Sequence, residues 1–382
     1  MNYMKKIPFY LHDLGDAELG EIKKVLAGTI LTTGDFVKEF ELQFSRYLGC
    51  SHAVACMSCT GAIHISLLAL GVGPGDEVIT TPMTFIATST AIIQAGAKPV
   101  FVDVEPGTGN LNAANVEAAI TPRTRAIMPV HLYGQMCDMK ALRAIADRHG
   151  LFIIEDAAHC VEGERDGMKP GQLGDTACFS FFATKNLACG EGGAVVTNDE
   201  KIAGKLRLLR SHGMTKTSSD REREGYQHWD MVCMGWKYNM DNIHASMLLP
   251  QLQLVEERAQ KRQHLAQTYF EYLKGAGGIS HPIRVTGARH ANHLFTVWVD
   301  PARRDHVIHG LISKGVGCVV NYRAIHLLTY FRETLGCRQG QFPVAEGIGD
   351  RTISLPLYCR LQEADVRHVA RLLKEEVSSS LS

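Results

Sequence analysis

Apolar positions along the chain follow two rhythms, and the change from one to the other predicts the architecture. In residues 16–26 and 35–48 they recur every three or four positions, with Phe36, Phe40, Phe44 and Leu48 on one stripe of the second segment. That spacing predicts two amphipathic helices. Residues 28–34, rich in threonine and glycine, read as the loop between them. From residue 52 onward, short apolar runs alternate with longer helical patterns. The runs at 52–57, 77–80, 99–102, 125–130 and 151–154 predict strands, and 60–70, 85–95 and 139–149 predict helices. Leu151-Phe152-Ile153-Ile154 is continuous rather than alternating, as a strand buried on both faces requires. Such alternation predicts an α/β fold, a mainly parallel central sheet covered by helices.

The aromatic run at 176–182 and the apolar run at 194–197 predict two more strands, followed by a helix at 201–210. Residues 212–238 are polar and lack periodicity. The basic residues at 216–223 read as solvated, with a nucleotide diphosphate as the sharper alternative. Residues 241–273 predict a long helical region interrupted at Pro250, leading out of a large domain, 1–255, into a smaller C-terminal α+β domain, 256–382. There 293–299, 317–320 and 351–355 predict strands, and 303–314 and 363–373 predict helices.

Composition narrows the function classes. Lys+Arg and Asp+Glu both number 40 in 382 residues, so no net field favours nucleic acid or a membrane surface. No apolar run approaches the roughly 20 residues that span a bilayer, and the opening residues do not read as a secretory signal. Eleven scattered cysteines read as reduced thiols of a cytoplasmic protein. Cys56-Met57-Ser58-Cys59 has redox or zinc spacing, but no second pair accompanies it, and no metal is expected.

Four features carry candidate chemistry. Ser58-Cys59-Thr60-Gly61-Ala62 opens a helix after a strand, where free N–H groups and small residues suit a phosphate. Glu155-Asp156-Ala157-Ala158-His159 follows the 151–154 strand, at the end where ligands of open sheets bind. Pro82-Met83-Thr84-Phe85 also follows a strand, and Phe85 could stack on a planar ring. Ser180 and Lys185 lie five residues apart around the end of the aromatic strand, before the cluster Gly190-Glu191-Gly192-Gly193. A lysine in apolar surroundings suits Schiff-base chemistry, which uses the neutral amine. Each feature has an ordinary structural use as well: Thr60 as a helix cap, the acidic pair as a cap or buried ion pair, Phe85 as a core residue, Lys185 as a surface lysine. Taken together, they are the parts that pyridoxal phosphate requires.

These motifs resemble the DegT-type sugar aminotransferases, fold-type-I pyridoxal-phosphate enzymes, over about residues 9–373. Gly73-Pro74-Gly75-Asp76-Glu77-Val78, Arg210-Ser211-His212-Gly213 and Tyr238-Asn239-Met240 add to the match. The resemblance implies an internal aldimine on Lys185, Asp156 paired with the pyridine nitrogen, Phe85 stacked on the ring and His159 beside it. It places the phosphate on Thr60, the Gly61 or Ala62 backbone, Ser180 and Asn239, the last reaching the neighbouring subunit of a homodimer. It further implies ping-pong transfer from glutamate to a keto group, expected at C4, of a nucleotide-linked sugar, with Arg323 and His326 as substrate contacts. Alternatives are a cyclitol or other non-nucleotide ketone as acceptor, a pyridoxamine-dependent dehydratase and a non-catalytic binding protein. The dehydratase class replaces the lysine, so Lys185 weighs against it.

Overall fold

The computed structural model describes residues 5–216 and 228–379. Two helices, α1 (Asp16–Leu26) and α2 (Asp35–Leu48), precede β1 (His52–Cys56), α3 (Cys59–Ala69), β2 (Glu77–Thr80), α4 (Ala87–Gln94) and β3 (Lys98–Phe101). There follow α5 (Ala113–Val116), β4 (Thr124–Ile127), α6 (Met139–His149), β5 (Phe152–Asp156), β6 (Thr176–Ser180), β7 (Gly193–Thr197) and α7 (Glu200–Leu209). After residues 217–227, α8 (Asn242–Gln253) and α9 (Val255–Leu273) lead to β8 (Phe295–Trp298), α10 (Arg304–Ser313), α11 (Thr329–Leu335), α12 (Pro343–Arg351), β9 (Thr352–Leu355) and α13 (Glu363–Ser379).

The seven-stranded sheet runs β1-β7-β6-β5-β4-β2-β3, and β7 is its one antiparallel member. The expected α/β class and mainly parallel sheet are therefore present. Strand alternation sends successive residues to opposite faces. Ala177, Phe179 and Phe181 pack with Phe40 and Phe44 of α2 and with Leu248 of α8. Cys178 and Val195 pack on the other face with Ile63 and Leu67 of α3. Helix α3 is buried almost all round, which is why it has no polar stripe. A separate apolar cluster joins Ile7, Leu265, Tyr269, β8, β9 and α13.

The register aligns three chain segments at one sheet edge. Gly193 pairs with both Cys56 and Ser180, and Asp156 pairs with Cys178. The carboxyl ends of β1, β5 and β6 thus lie beside the start of β7. A side chain at Gly193 would come within 2.4–2.6 Å of the Ser58 and Cys59 backbone. This glycine lets β7 pass against the turn that opens α3.

Two sequence expectations change, and a third falls on residues outside those described. Pro250 does not interrupt the helix: it lies inside α8, and the break comes at Leu254, whose φ of −100° and ψ of 4° leave the helical region. Residues 317–320 form no strand; only bridges from Val316 to Ile7 and from Val319 to Ser354 extend the small β8–β9 sheet. Most of the basic 216–223 segment lies outside the described residues. Its flanks are tied by the bridges Ser211–Lys237 and Met214–Met231.

Gly193→Ala is expected to lose about 1–3 kcal/mol through overpacking. Chemical denaturation would register this as a lower midpoint, and an unchanged midpoint would mean that the turn yields freely.

Candidate active site

A cavity of about 400 Å³ opens at this edge and is lined by Thr60, Phe85, Asp156, His159, Ser180 and Lys185. Six side chains that the sequence singled out from four separate segments are thereby brought together.

The phosphate-type end is built by capping. Ser58, not Thr60, is the N-cap of α3, and its Oγ accepts the Gly61 N–H at 3.0 Å. The Ala62 N–H goes to the Ser58 carbonyl, so neither Gly61 nor Ala62 offers a free amide. Thr60, in the first turn, lines the cavity. Ser180 ends β6 on the same side of the sheet as Cys178 and joins it there. A helix start flanked by two hydroxyls suits an anion.

Alternation separates the acidic pair. Glu155 is fully buried on the opposite face, where it bonds His131 Nε2 at 2.7 Å and accepts the Gly171 and Gly174 amides. Asp156 turns to the cavity. Its Oδ2 accepts the Thr88 hydroxyl at 2.7 Å, and Thr88 in turn accepts from Thr84 at 2.7 Å. Its Oδ1 accepts the Ala158 N–H at 3.2 Å. Burial raises the Asp156 carboxyl above the ordinary aspartate range, while these two bonds and Lys185 pull it back. A carboxylate so held gains by pairing with a cation such as a protonated ring nitrogen.

Lys185 lies on the loop after β6. Its side chain keeps some surface, but its Nζ lies 3.4 Å from Nε2 of the buried His293. Burial lowers its amine to about 8, against smaller opposing effects of Cys59 and Asp156. A substantial fraction is therefore neutral and nucleophilic near physiological pH.

His159 Nδ1 accepts the Tyr133 N–H at 3.3 Å, so the ring proton belongs on Nε2, 3.1 Å from the Tyr322 hydroxyl. Burial and then Lys185 hold this imidazole well below its usual range. Phe85 is 55% exposed, which removes the core reading and leaves a ring face at the cavity mouth.

Three expected site residues lie elsewhere. Asn239 lines an adjoining surface hollow with Thr32, Met57 and Glu191, and Glu191 borders both spaces. Its Nδ2 donates to Thr33 at 2.7 Å. Arg323 is exposed on a shallow groove with Arg332 and Arg338. His326 is not at the cavity. The chain turns inward after Arg323, burying Ala324 and Ile325, and His326 is fully enclosed with Nε2 2.9 Å from Glu346. That enclosure corrects the expected substrate contact.

Sequence reasoning missed Tyr322, Thr88 and His293. Tyr322 stands next to the chosen Arg323, so the right segment was read one residue out of phase. Thr88 is one helical turn after Thr84, a spacing that could have flagged it. His293 precedes an apolar strand and carries no local signal.

The DegT/DnrJ/EryC1/StrS aminotransferase family model matches residues 12–374. The chain belongs to that family. It is 38% identical to the spore coat polysaccharide biosynthesis protein SpsC of Bacillus subtilis, over 98% of each chain. Among solved structures it resembles Spr1654 of Streptococcus pneumoniae in its PLP form, with TM-score 0.93 and 28% identity, covering 99% of this chain and 100% of that one. It also resembles DesI, crystallised with its TDP-sugar product, with TM-score 0.88 and 31% identity over 99% and 94% of the two chains. The cavity residues fit pyridoxal phosphate: an anion site at α3, a buried carboxylate, an exposed aromatic face and a lysine with a depressed amine.

In the cofactor-free protein, labelling of Lys185 by a small acylating reagent should rise with a midpoint near pH 8, read by peptide mass spectrometry. The sign follows from burial, which favours the neutral, reactive amine. A midpoint near the ordinary lysine value would mean that solvent reaches the amine freely. Asp156→Asn should cut turnover roughly a hundredfold or more, as loss of a buried electrostatic partner does.

Proposed function

We propose that this member of the aminotransferase family moves an amino group from glutamate to a keto group, at C4, of a nucleotide-linked sugar. The observation that carries this reading is the buried Lys185 amine facing the same cavity as Asp156. Family membership makes the chain a pyridoxal-phosphate-dependent aminotransferase. When bound, that cofactor supplies an electron sink that stabilises negative charge at the carbon losing a proton.

The chain's own residues take distinct parts. Thr60, Ser180 and the start of α3 hold the phosphate, and Phe85 covers the ring. Asp156 would keep a proton on the ring nitrogen, its carboxylate fixed by the bond that Thr88 donates to Oδ2. Lys185 holds the cofactor at rest. Once an amino substrate displaces it, its Nζ would take a proton from the substrate α-carbon and pass it to the bound cofactor, and in the second half-reaction it would carry a proton back from there to the acceptor carbon. His159 closes the side of the cavity with its Nε2 proton directed to Tyr322.

Sugar chemistry is supported by the SpsC relative, and nucleotide linkage by the likeness to DesI with its TDP-sugar product. Arg323, with Arg332 and Arg338 on a groove that also carries Glu333 and Asp350, supplies a net positive charge suited to a diphosphate. A homodimer gives Asn239 its use, since it lines the hollow that adjoins the cavity at Glu191 and can face a second copy. A division into a large domain, 1–255, and a smaller one, 256–382, is supported by the break in the helix at Leu254. Among the described residues no helix is long and apolar enough to cross a membrane, and the cysteine usage supports a cytoplasmic enzyme. An intact Lys185 disfavours the dehydratase chemistry.

The deciding experiment assays UDP-, dTDP- and GDP-linked 4-keto sugars for glutamate-dependent amination. At least one should be aminated with ping-pong kinetics. Amination of a free cyclitol ketone, with none of the nucleotide sugars accepted, would replace this reading. Arg323→Ala should raise KM for the sugar by about tenfold while sparing the half-reaction with glutamate, as loss of one charge-assisted bond does.

A further inference from the structure

A buried polar chain runs from α9 to the Lys185 amine. Arg262 of α9 donates to Glu162 Oε1 and, at 3.3 Å, to the Cys359 sulfur. Arg262 and Glu162 are 3% and 0% exposed. The second oxygen of Glu162 accepts the Asn186 amide nitrogen at 2.9 Å, and the Ala291 carbonyl accepts the same nitrogen at 3.0 Å. Asn186 Oδ1 is 3.3 Å from His293 Nδ1, and His293 Nε2 is 3.4 Å from Lys185 Nζ.

The directions of these bonds follow from proton counting. Ionised Glu162 and the Ala291 carbonyl can only accept, so the NH2 of Asn186 must face them. Its oxygen must then face His293, which requires the imidazole proton on Nδ1. Nε2 is left with a lone pair, and that lone pair points at Lys185. We propose that His293 is a positioning residue for Lys185, held as the Nδ1–H tautomer by Glu162 through Asn186 so that Nε2 accepts one N–H of the lysine amine. An amine anchored by one N–H turns its own lone pair away from His293, toward the cavity where the α-carbon proton is taken.

The groups that face this pair agree with a neutral ring. Around Lys185 lie His293, His159, Cys59 and Asp156, and around His293 lie Lys185, His159, Arg262 and His290. The His159 ring is 4.5 Å from the His293 ring at 37°, and its own Nδ1 is occupied by Tyr133. Burial first, and then the neighbouring Lys185, His159, Arg262 and His290, hold His293 well below the usual histidine range. The inference rests on the reading of Lys185 as the group that moves the proton.

Nitrogen-15 NMR of histidine-labelled, cofactor-free protein reads the tautomer directly, with the His293 signals assigned by their loss in His293→Gln. The wild type should show a protonated Nδ1 and a bare Nε2 near neutral pH. In Asn186→Leu, which removes the acceptor, the population should move toward the Nε2–H form. A wild-type Nε2–H or doubly protonated ring overturns the proposal, as does a tautomer indifferent to Asn186→Leu. In the cofactor-loaded enzyme, His293→Leu should slow the glutamate half-reaction on the order of tenfold to a hundredfold. His293→Gln, whose amide oxygen can still accept, should recover part of that loss; equal loss in both overturns the role given to Nε2. If the cofactor were carried by a residue other than Lys185, the functional reading would fail while the tautomer result would stand, so the two failures remain distinct.

Discussion

Everything at the cavity depends on the desolvation of two opposite charges at one edge of a sheet. Asp156 and Lys185 are each poor candidates for burial alone, because a charge taken from water costs several kcal/mol unless it is compensated. Here the compensation is partial and directional. Thr88 and the Ala158 amide stabilise the carboxylate, and the amine meets a neutral imidazole rather than a carboxylate in direct contact. The lysine is therefore pressed toward its neutral form while the aspartate keeps bonds to its anionic form. That asymmetry is the working condition of the family's chemistry, which needs a nucleophilic amine and an acid-holding carboxylate in one cavity.

The scaffold enforces this arrangement through register. Gly193 pairs with Cys56 on one side and Ser180 on the other, and it is bare of a side chain where the Ser58–Cys59 turn comes against it. Of the glycines after Lys185, Gly193 thus serves the packing of β7 against the α3 turn. That turn carries Thr60, so a displacement of β7 would move the start of α3 relative to Asp156 and Lys185.

The fold was legible because its signals are local. Continuous apolar strands, amphipathic helices and the strand-end motifs are properties of short windows, and most predicted elements agree with the structure to within a few residues. The two failures of detail have tertiary causes. Pro250 stays within a helix whose packed face, Ala245, Leu248, Leu249 and Leu252, outweighs its local cost, and residues 317–320 bridge the small sheet without forming a ladder. In the site, residues on quoted motifs were legible, and those that act from a distance were not. Thr88, His293 and Glu162 acquire meaning only when α4, the loop after β5, α9 and the segment before β8 are brought together. His326 was misread because its neighbourhood resembles a polar loop, whereas the chain turns inward to Glu346.

The central claim is that Lys185 is the residue that carries the cofactor. Borohydride reduction of the protein loaded with pyridoxal phosphate, followed by peptide mapping, tests it most directly. The account predicts one pyridoxyl adduct per chain, on the peptide containing Lys185, and none at that position in Lys185→Ala. An adduct confined to another lysine, or none on a protein that retains the cofactor, would contradict it.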